Sequence, residues 1–308
     1  MKTVKSMWSH KSLYLILLPG LTWYVIFCYL PMFNPSSGGV LLAFKEFRNN
    51  MSFGDMQWVS LKWFEKLMNK PDFWVALLNT FKISFLRLIF ELPMPIIIAI
   101  LLNEVRHSKP KRVFQTILTF PNFLSWVLVL GVLRDLLQLS GLFNGLRGVL
   151  GLAPFNYLNN SDWLSNMLMI LLTNIWKSAG WGSIIYLASI SGIDPSLYEA
   201  ATIDGAGRWK CILHVTWPGI RSTAVVLLVL SCGNILNAGF DQIFNLKAAL
   251  NEVHLDILDT YIYRYAFGIG KMNFGFTVAA GLFKSVVNFA LLLTANKIAG
   301  WVGGETVF

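Results

Sequence analysis

The chain has 308 residues, of which 55% are hydrophobic and only 13% charged, and its mean hydropathy of +0.57 is too high for a soluble domain of ordinary composition. A net charge of +9 gives no reason to invoke nucleic acid, because basic loops on one side of a membrane produce such a balance without a polyanion. Cys28, Cys211 and Cys232 are scattered along the chain and imply neither a disulfide nor a metal framework.

The amino terminus reads MKTVKSMWSHK before the first apolar run. No A-x-A-like cleavage site follows, so an uncleaved first helix is expected. Six apolar runs, 13–32, 74–102, 113–137, 164–190, 223–244 and 274–298, are each long enough to cross the bilayer, which takes about 20 helical residues for ~30 Å of hydrocarbon. They are apolar blocks without the period-2 alternation of barrel strands, so an all-α membrane protein with six transmembrane helices is expected.

Basic residues set the orientation. Lys2, Lys5 and Lys11 precede the first run, and Arg106, Lys109, Lys111 and Arg112 follow the second, whereas the loop 138–163 holds one base, Arg147. The loop 34–73 is long and mixed in sign, and says little. Both termini, and the segment between the fourth and fifth runs, are therefore expected in the cytoplasm. The organisation expected is an N-terminal tail, first helix and outer loop over 1–73, a transmembrane core over 74–300, and a C-terminal tail over 301–308.

Ionisable and amide side chains at membrane depth are costly and usually face a cavity or a partner. Arg87 and Glu91 stand four apart in the second run and share a helix face. The fourth run adds Asn174, Trp176, Lys177 and Trp181, the fifth Asn234, Asn237 and Asp241, and the sixth Lys284 and Asn288. Amides, carboxylates and aromatic rings suit carbohydrate, whose hydroxyls and apolar ring faces they match. The same residues also serve as helix-to-helix bonds, interfacial anchors and snorkelling cations.

Between the fourth and fifth runs lies YEAATIDGAGRWKCILHVTWPGI. Either Asp194 with Pro195, or Ser196 with Glu199 as a capping box, starts a short helix here, and Gly205 stops it. RWKCILHVTW then forms a second short helix, expected to lay Trp209, Ile212, Leu213 and Val215 or Trp217 on the membrane body until Pro218 breaks it.

Glu199, Ala200 and Ala201, three residues, Gly205, nine residues, then Val215, Thr216, Trp217 and Pro218 resemble the signature of the integral membrane subunits of binding-protein-dependent ABC importers. Val215 and Trp217 replace the family's usual Ile and Leu, and Pro218 is retained. The resemblance implies a type I ABC importer permease fold in a bacterial inner membrane. It implies coupling helices within 194–218 that dock on an ATPase subunit, with Tyr198, Glu199, Ala200, Ala201, Asp204, Gly205 and Pro218 as the coupling residues. It also implies a second homologous permease, two ATPase subunits carrying ATP and magnesium, and an extracytoplasmic solute-binding protein. LLPGLTWYVIFCYLPM, LAFKEF, NAGFDQIFNL and FGFTVAAGLFKSVVNFALLLTAN are similar to the permeases that import complex oligosaccharides and polysaccharide fragments. FNPSSGGV at 33–40 departs from that pattern and reads as a turn. The bases Arg87, Lys177 and Lys284 would tolerate acidic sugars, so an alginate-like cargo is within the expectation, with a glycerol-phosphate or small-sugar permease, or a membrane-embedded glycosyl or lipid transferase, as the alternatives.

The sequence lacks a phosphate-cradling G-x-x-x-x-G-K-[ST] loop; GIGKMN has neither its spacing nor its hydroxyl residue. No cofactor is expected in this chain and no catalytic set suggests itself. His10, His107, His214 and His254 are dispersed, so no metal site is expected.

Overall fold

Proline and glycine divide the apolar runs into more pieces than their hydropathy suggests. The computed structural model describes residues 11–34, 39–48, 51–157, 163–250, 255–268, 272–301 and 306, and they are largely helical, with one isolated antiparallel bridge between Lys45 and Trp58. Lys2, Lys5, His10, His254 and residues 35–38 of the 33–40 stretch lie outside the described residues.

Among the described residues, five helical stretches are long and apolar enough to cross a membrane: Ser12–Phe33 (α1), Pro71–Asn103, Trp126–Val149, Arg208–Cys232 and Phe274–Trp301. The expected fourth span is one continuous helix, Trp163–Ser191. Its length suffices, but Asn166, Asn174, Lys177 and several serines dilute its hydropathy, and it is not among the five.

The stretch Pro71–Asn103 is two helices, α2 (Pro71–Phe90) and α3 (Pro93–Asn103), separated at Glu91 and Leu92. Pro93 lacks the amide needed to continue α2, yet its fixed φ suits the first position of α3. The expected third run also divides. It comprises α4 (Ser108–Thr119), a tight turn over Phe120–Phe123 containing Pro121, and α5 (Trp126–Leu137). Ser125 caps α5, its hydroxyl accepting from the Leu128 amide at 3.3 Å.

After α6 (Trp163–Ser191) and the short α7 (Pro195–Ile203) comes α8 (Arg208–Cys232). Pro218 does not break this helix, contrary to expectation. A π-helical turn over Ile212–Thr216 immediately precedes the proline, and its wider ring accommodates the missing amide bond. The expected fifth span ends early, at Gly233, and residues 234–239 are not helical before α9 (Phe240–Leu250) begins. Asn234 and Asn237 therefore sit in a turn and only Asp241 on a helix. Leu258–Phe267 (α10) and Phe274–Trp301 (α11) follow, and two further short helices, Lys62–Met68 and Leu142–Val149, lie before α2 and after α5.

The chain clusters into two compact units, 1–71 with 262–285 and 72–261 with 286–308. In the first, buried Lys45 donates to the Phe53 carbonyl at 2.7 Å and lies 4.0 Å over the Phe53 ring, while Trp63 donates to the Lys45 carbonyl at 2.8 Å. The charge is thus held by an aromatic face and a carbonyl instead of a carboxylate.

In the second unit α6 is central. Tyr186 and Ile190 of α6 pack with Ile96 and Ala99 of α3 and with Ile220 and Ala224 of α8. Ile170 and Met167, nearer its start, pack with Ile83, Leu130, Ile243 and Leu246. Gly180 lets α6 approach the end of α4 so closely that a β-carbon there would overlap the Leu118 carbonyl oxygen, and one at Gly182 would reach 3.0 Å from Pro95. Gly180→Ala should therefore lower the melting temperature of the detergent-purified chain. Gly131→Ala on α5, where no atom lies within 4 Å, should leave it unchanged or slightly raised.

Candidate functional site

The break between α2 and α3 and the turn at 234–239 meet around a cavity of about 400 Å³ in the second unit, lined by Arg87, Glu91, Tyr186, Ser231, Asn234 and Asn237 among others. Arg87 Nε lies 3.6 Å from Glu91 Oε1. That is ion-pair range but beyond a hydrogen bond, and neither atom has a hydrogen-bond partner among the described residues. The other carboxylate oxygen, Oε2, accepts from Asn174 Nδ2 at 2.5 Å. The guanidinium also donates to Gln242 Oε1, and Gln242 in turn donates to the Ile170 carbonyl at 2.8 Å and to Thr173 Oγ1 at 2.7 Å. Gly239, at φ +83°, has no room for a β-carbon because the Arg87 guanidinium occupies that space. The charged pair is thus clamped from α6 and α9.

The remaining membrane-depth candidates do not join this cavity. Lys177, buried, donates to the Asn122 carbonyl at 2.7 Å and lies 5.5 Å from the Trp126 ring centre, tying the turn between α4 and α5. Asn288 accepts from the Leu236 amide at 3.1 Å and so supports the turn before α9. Trp176 lines a separate apolar pocket with Leu128 and Leu172. Trp181 packs edge-on against Phe123. Asp241 is exposed, with its carbonyl accepting from Asn245, and Lys284 is half-buried in the first unit.

Of the two short helices expected in the segment 194–218, the first is α7, whereas the second is the beginning of α8 and is not ended by Pro218. Asp194 is the cap: its carboxylate accepts from the Ser196 amide at 2.9 Å, and this bond holds the carboxyl below its ordinary range. Because the folded value is depressed, the cap is fully present at neutral pH and weakens as pH falls through that value. Gly205 at φ +77° ends α7, with its amide on the Thr202 carbonyl and the Ala206 amide on the Ala201 carbonyl. This is the double closure of a glycine-terminated helix, which needs the left-handed conformation at that position. Tyr198 then hydrogen-bonds Thr216 at 3.0 Å, bracing α7 against the π turn. Trp209 and Leu213 do not lie against the membrane body: Trp209 is 77% exposed, Ile203 beside Gly205 is 86% exposed, and Leu197 and Leu213 are exposed too. Thr216 and Ile220 are the residues buried instead. Glu199, Ala200 and Asp204 are exposed, and Ala201 is half-buried.

The sequence profile of the binding-protein-dependent transport system inner membrane component matches residues 92–299. The chain belongs to this family. It is a membrane transport subunit, not an enzyme. The permease is 41% identical to the protein LplB of Bacillus subtilis, over 97% of this chain and 91% of that one. It is 38% identical to the polygalacturonan/rhamnogalacturonan transport system permease protein YteP of the same organism, again over 97% and 91%. A chain in the crystal structure of a bacterial ABC transporter involved in the import of the acidic polysaccharide alginate superposes with a TM-score of 0.82. Its sequence identity is 35%, with 98% of this permease and 99% of that chain covered.

Sequence reasoning missed Gln242 and Gly239. Gln242 carries the general signal of an amide within an apolar run, but nothing in the linear order links it to Arg87, 155 positions away. The network makes a thermodynamic prediction for the permease. Arg87→Met leaves Glu91 buried without its counter-charge and should cost about 3 kcal/mol. Adding Glu91→Gln removes that charge while keeping an acceptor for Asn174, and should recover most of the loss. Chemical denaturation of the two variants in detergent measures both steps.

Proposed function

We propose that this permease moves oligosaccharides into a bacterial cell, and that its preferred cargo is fragments of acidic polysaccharides. The observation that carries the reading is the cavity at Arg87 and Glu91, lined by a cation, a carboxylate and the amides Asn234 and Asn237 together with the apolar side chains Leu88, Ile185, Leu227 and Ile235. Sugar hydroxyls take the amides and the carboxylate, the apolar ring faces take the aliphatic residues, and a uronate takes the guanidinium. Two of the relatives point the same way by name, one to polygalacturonan and rhamnogalacturonan and one to alginate. A charge-neutral variant that keeps its fold tests this. In proteoliposomes, Arg87→Met with Glu91→Gln should reduce uptake of an acidic oligosaccharide at least tenfold more than that of a neutral one of equal length. Lys177→Met breaks the tie to Asn122 and should depress both alike. Equal losses in the double variant would remove the acidic preference.

The working unit in this reading pairs the permease with a homologous second permease, two ATPase subunits that bind ATP and magnesium, and an extracytoplasmic binding protein. Both termini and the segment 194–218 face the cytoplasm. A related alginate transporter has been solved in complex with a periplasmic protein carrying an alginate pentasaccharide, which supports the binding-protein arm of this assembly. The exposed Leu197, Ile203, Trp209 and Leu213 around the Gly205 turn form an apolar surface suited to the ATPase.

Gly205 tests that assignment sharply, because no neighbouring atom lies within 4 Å of the β-carbon a substitution would add. The penalty is then one of backbone conformation alone, about 1–2 kcal/mol for an ordinary residue. Gly205→Val should abolish stimulation of ATP hydrolysis by loaded binding protein, and Gly205→Asn, which tolerates the left-handed region, should retain it. Normal stimulation in a well-assembled Gly205→Val complex would reduce the segment to a linker.

A further inference from the structure

A second cavity lies far from the first in chemistry. It is a groove of about 280 Å³ between α8 and α11, with Arg221 at one end, Cys232 at the other, and Val225, Leu228, Ala295 and Ile298 between. We propose that this groove binds one anionic phospholipid, its acyl chain along the aliphatic walls and its phosphate on Arg221.

Three observations converge. The first is length: Arg221 and Cys232 are eleven residues apart on one helix, which at 1.5 Å per residue is roughly 16 Å, the depth of one leaflet of a ~30 Å hydrocarbon core. The second is charge. Among the described residues no carboxylate pairs with Arg221, which is exposed at the mouth of an otherwise apolar groove. A planar guanidinium in that position matches a phosphate fork-to-fork, and the apolar face of a second protein helix would leave it unneutralised. The third is the neighbourhood. Lys297, adjacent to Ile298 on α11, lies 5.2 Å from the ring centre of Trp301, which is 76% exposed. A base and an exposed aromatic ring near the end of α11 are residue types found at the level of an anionic headgroup.

The groove also sits on the helix that carries the segment 194–218. Arg221 follows Pro218 by three residues in the same unbroken α8. A lipid seated there would brace α8 where it leaves that segment. This holds whatever sugar the permease carries.

The test uses the full purified chain, delipidated in detergent and titrated separately with phosphatidylglycerol, phosphatidylcholine and inorganic phosphate, with retention read by native mass spectrometry and folding by melting temperature. Phosphatidylglycerol should be retained and should raise the melting temperature, while phosphatidylcholine and phosphate should do neither. Arg221→Gln should weaken phosphatidylglycerol retention about fivefold, the share of one surface base, and Arg221→Lys should restore most of it. Ala295→Phe, which fills the groove, should abolish retention with the fold intact. Equal retention of the two lipids, a full effect of phosphate alone, or retention unchanged in both Arg221→Gln and Ala295→Phe would overturn the proposal. So would Ala295→Phe altering only self-association, which would assign the groove to a protein neighbour.

Discussion

Inside hydrocarbon a backbone amide or carbonyl has no water to turn to, so every interruption of a helix must find partners from the protein itself. The fold of this permease follows from how that constraint is met at three interruptions. At Glu91 and Leu92, the Glu91 amide still reaches the Arg87 carbonyl at 2.7 Å, and Asn174 of α6 holds the Glu91 carboxylate. At Phe120–Phe123, Lys177 of α6 takes the Asn122 carbonyl. At 234–239, Asn288 of α11 takes the Leu236 amide, and Arg87 fills the space that Gly239 leaves. Asn174 and Lys177 are three apart on one helix and so lie on one side of it. α6 is central for this reason as well as for its small residues: one turn of it closes two breaks.

The Arg87–Glu91 pair is the expensive part of this arrangement. A surface pair four residues apart would contribute a few tenths of a kcal/mol, but both of these side chains are mostly buried and must be desolvated. The compensation comes from Asn174 and Gln242, which supply hydrogen bonds that the pair's 3.6 Å separation does not. A polar cluster so costly to bury, beside a cavity, is the kind of group that usually marks a functional site, and this is why the proposed function is placed there.

The segment 194–218 follows a different logic. It lacks a deep core and relies on local closure: the Asp194 cap, the glycine-terminated end of α7, and the Tyr198–Thr216 bond. The π turn lets the helix continue past Pro218, so the segment runs directly into a transmembrane span. The same helix reaches the second unit's core at Ile220 and Ala224.

The bilayer class, the helical architecture and the 194–218 segment were legible from the sequence because they rest on local features: long apolar runs, a capping aspartate and proline, and a glycine at fixed spacing from Glu199. The pairing of Arg87 with Glu91 was legible for the same reason, as a four-residue helical step. Hydropathy alone could not reveal where the runs break, because the prolines at 93 and 121 remove backbone donors, and α8 ends at Gly233, without the stretch becoming strongly polar. Nor could it sort the membrane-depth polar residues. Lys177 and Arg87 are alike as isolated symbols, yet one ties a turn and the other borders a cavity, and Gln242 joins Arg87 across 155 positions. Those roles depend on which helices pack together, and the partner of a buried polar group is decided by three-dimensional proximity, which only the tertiary structure sets.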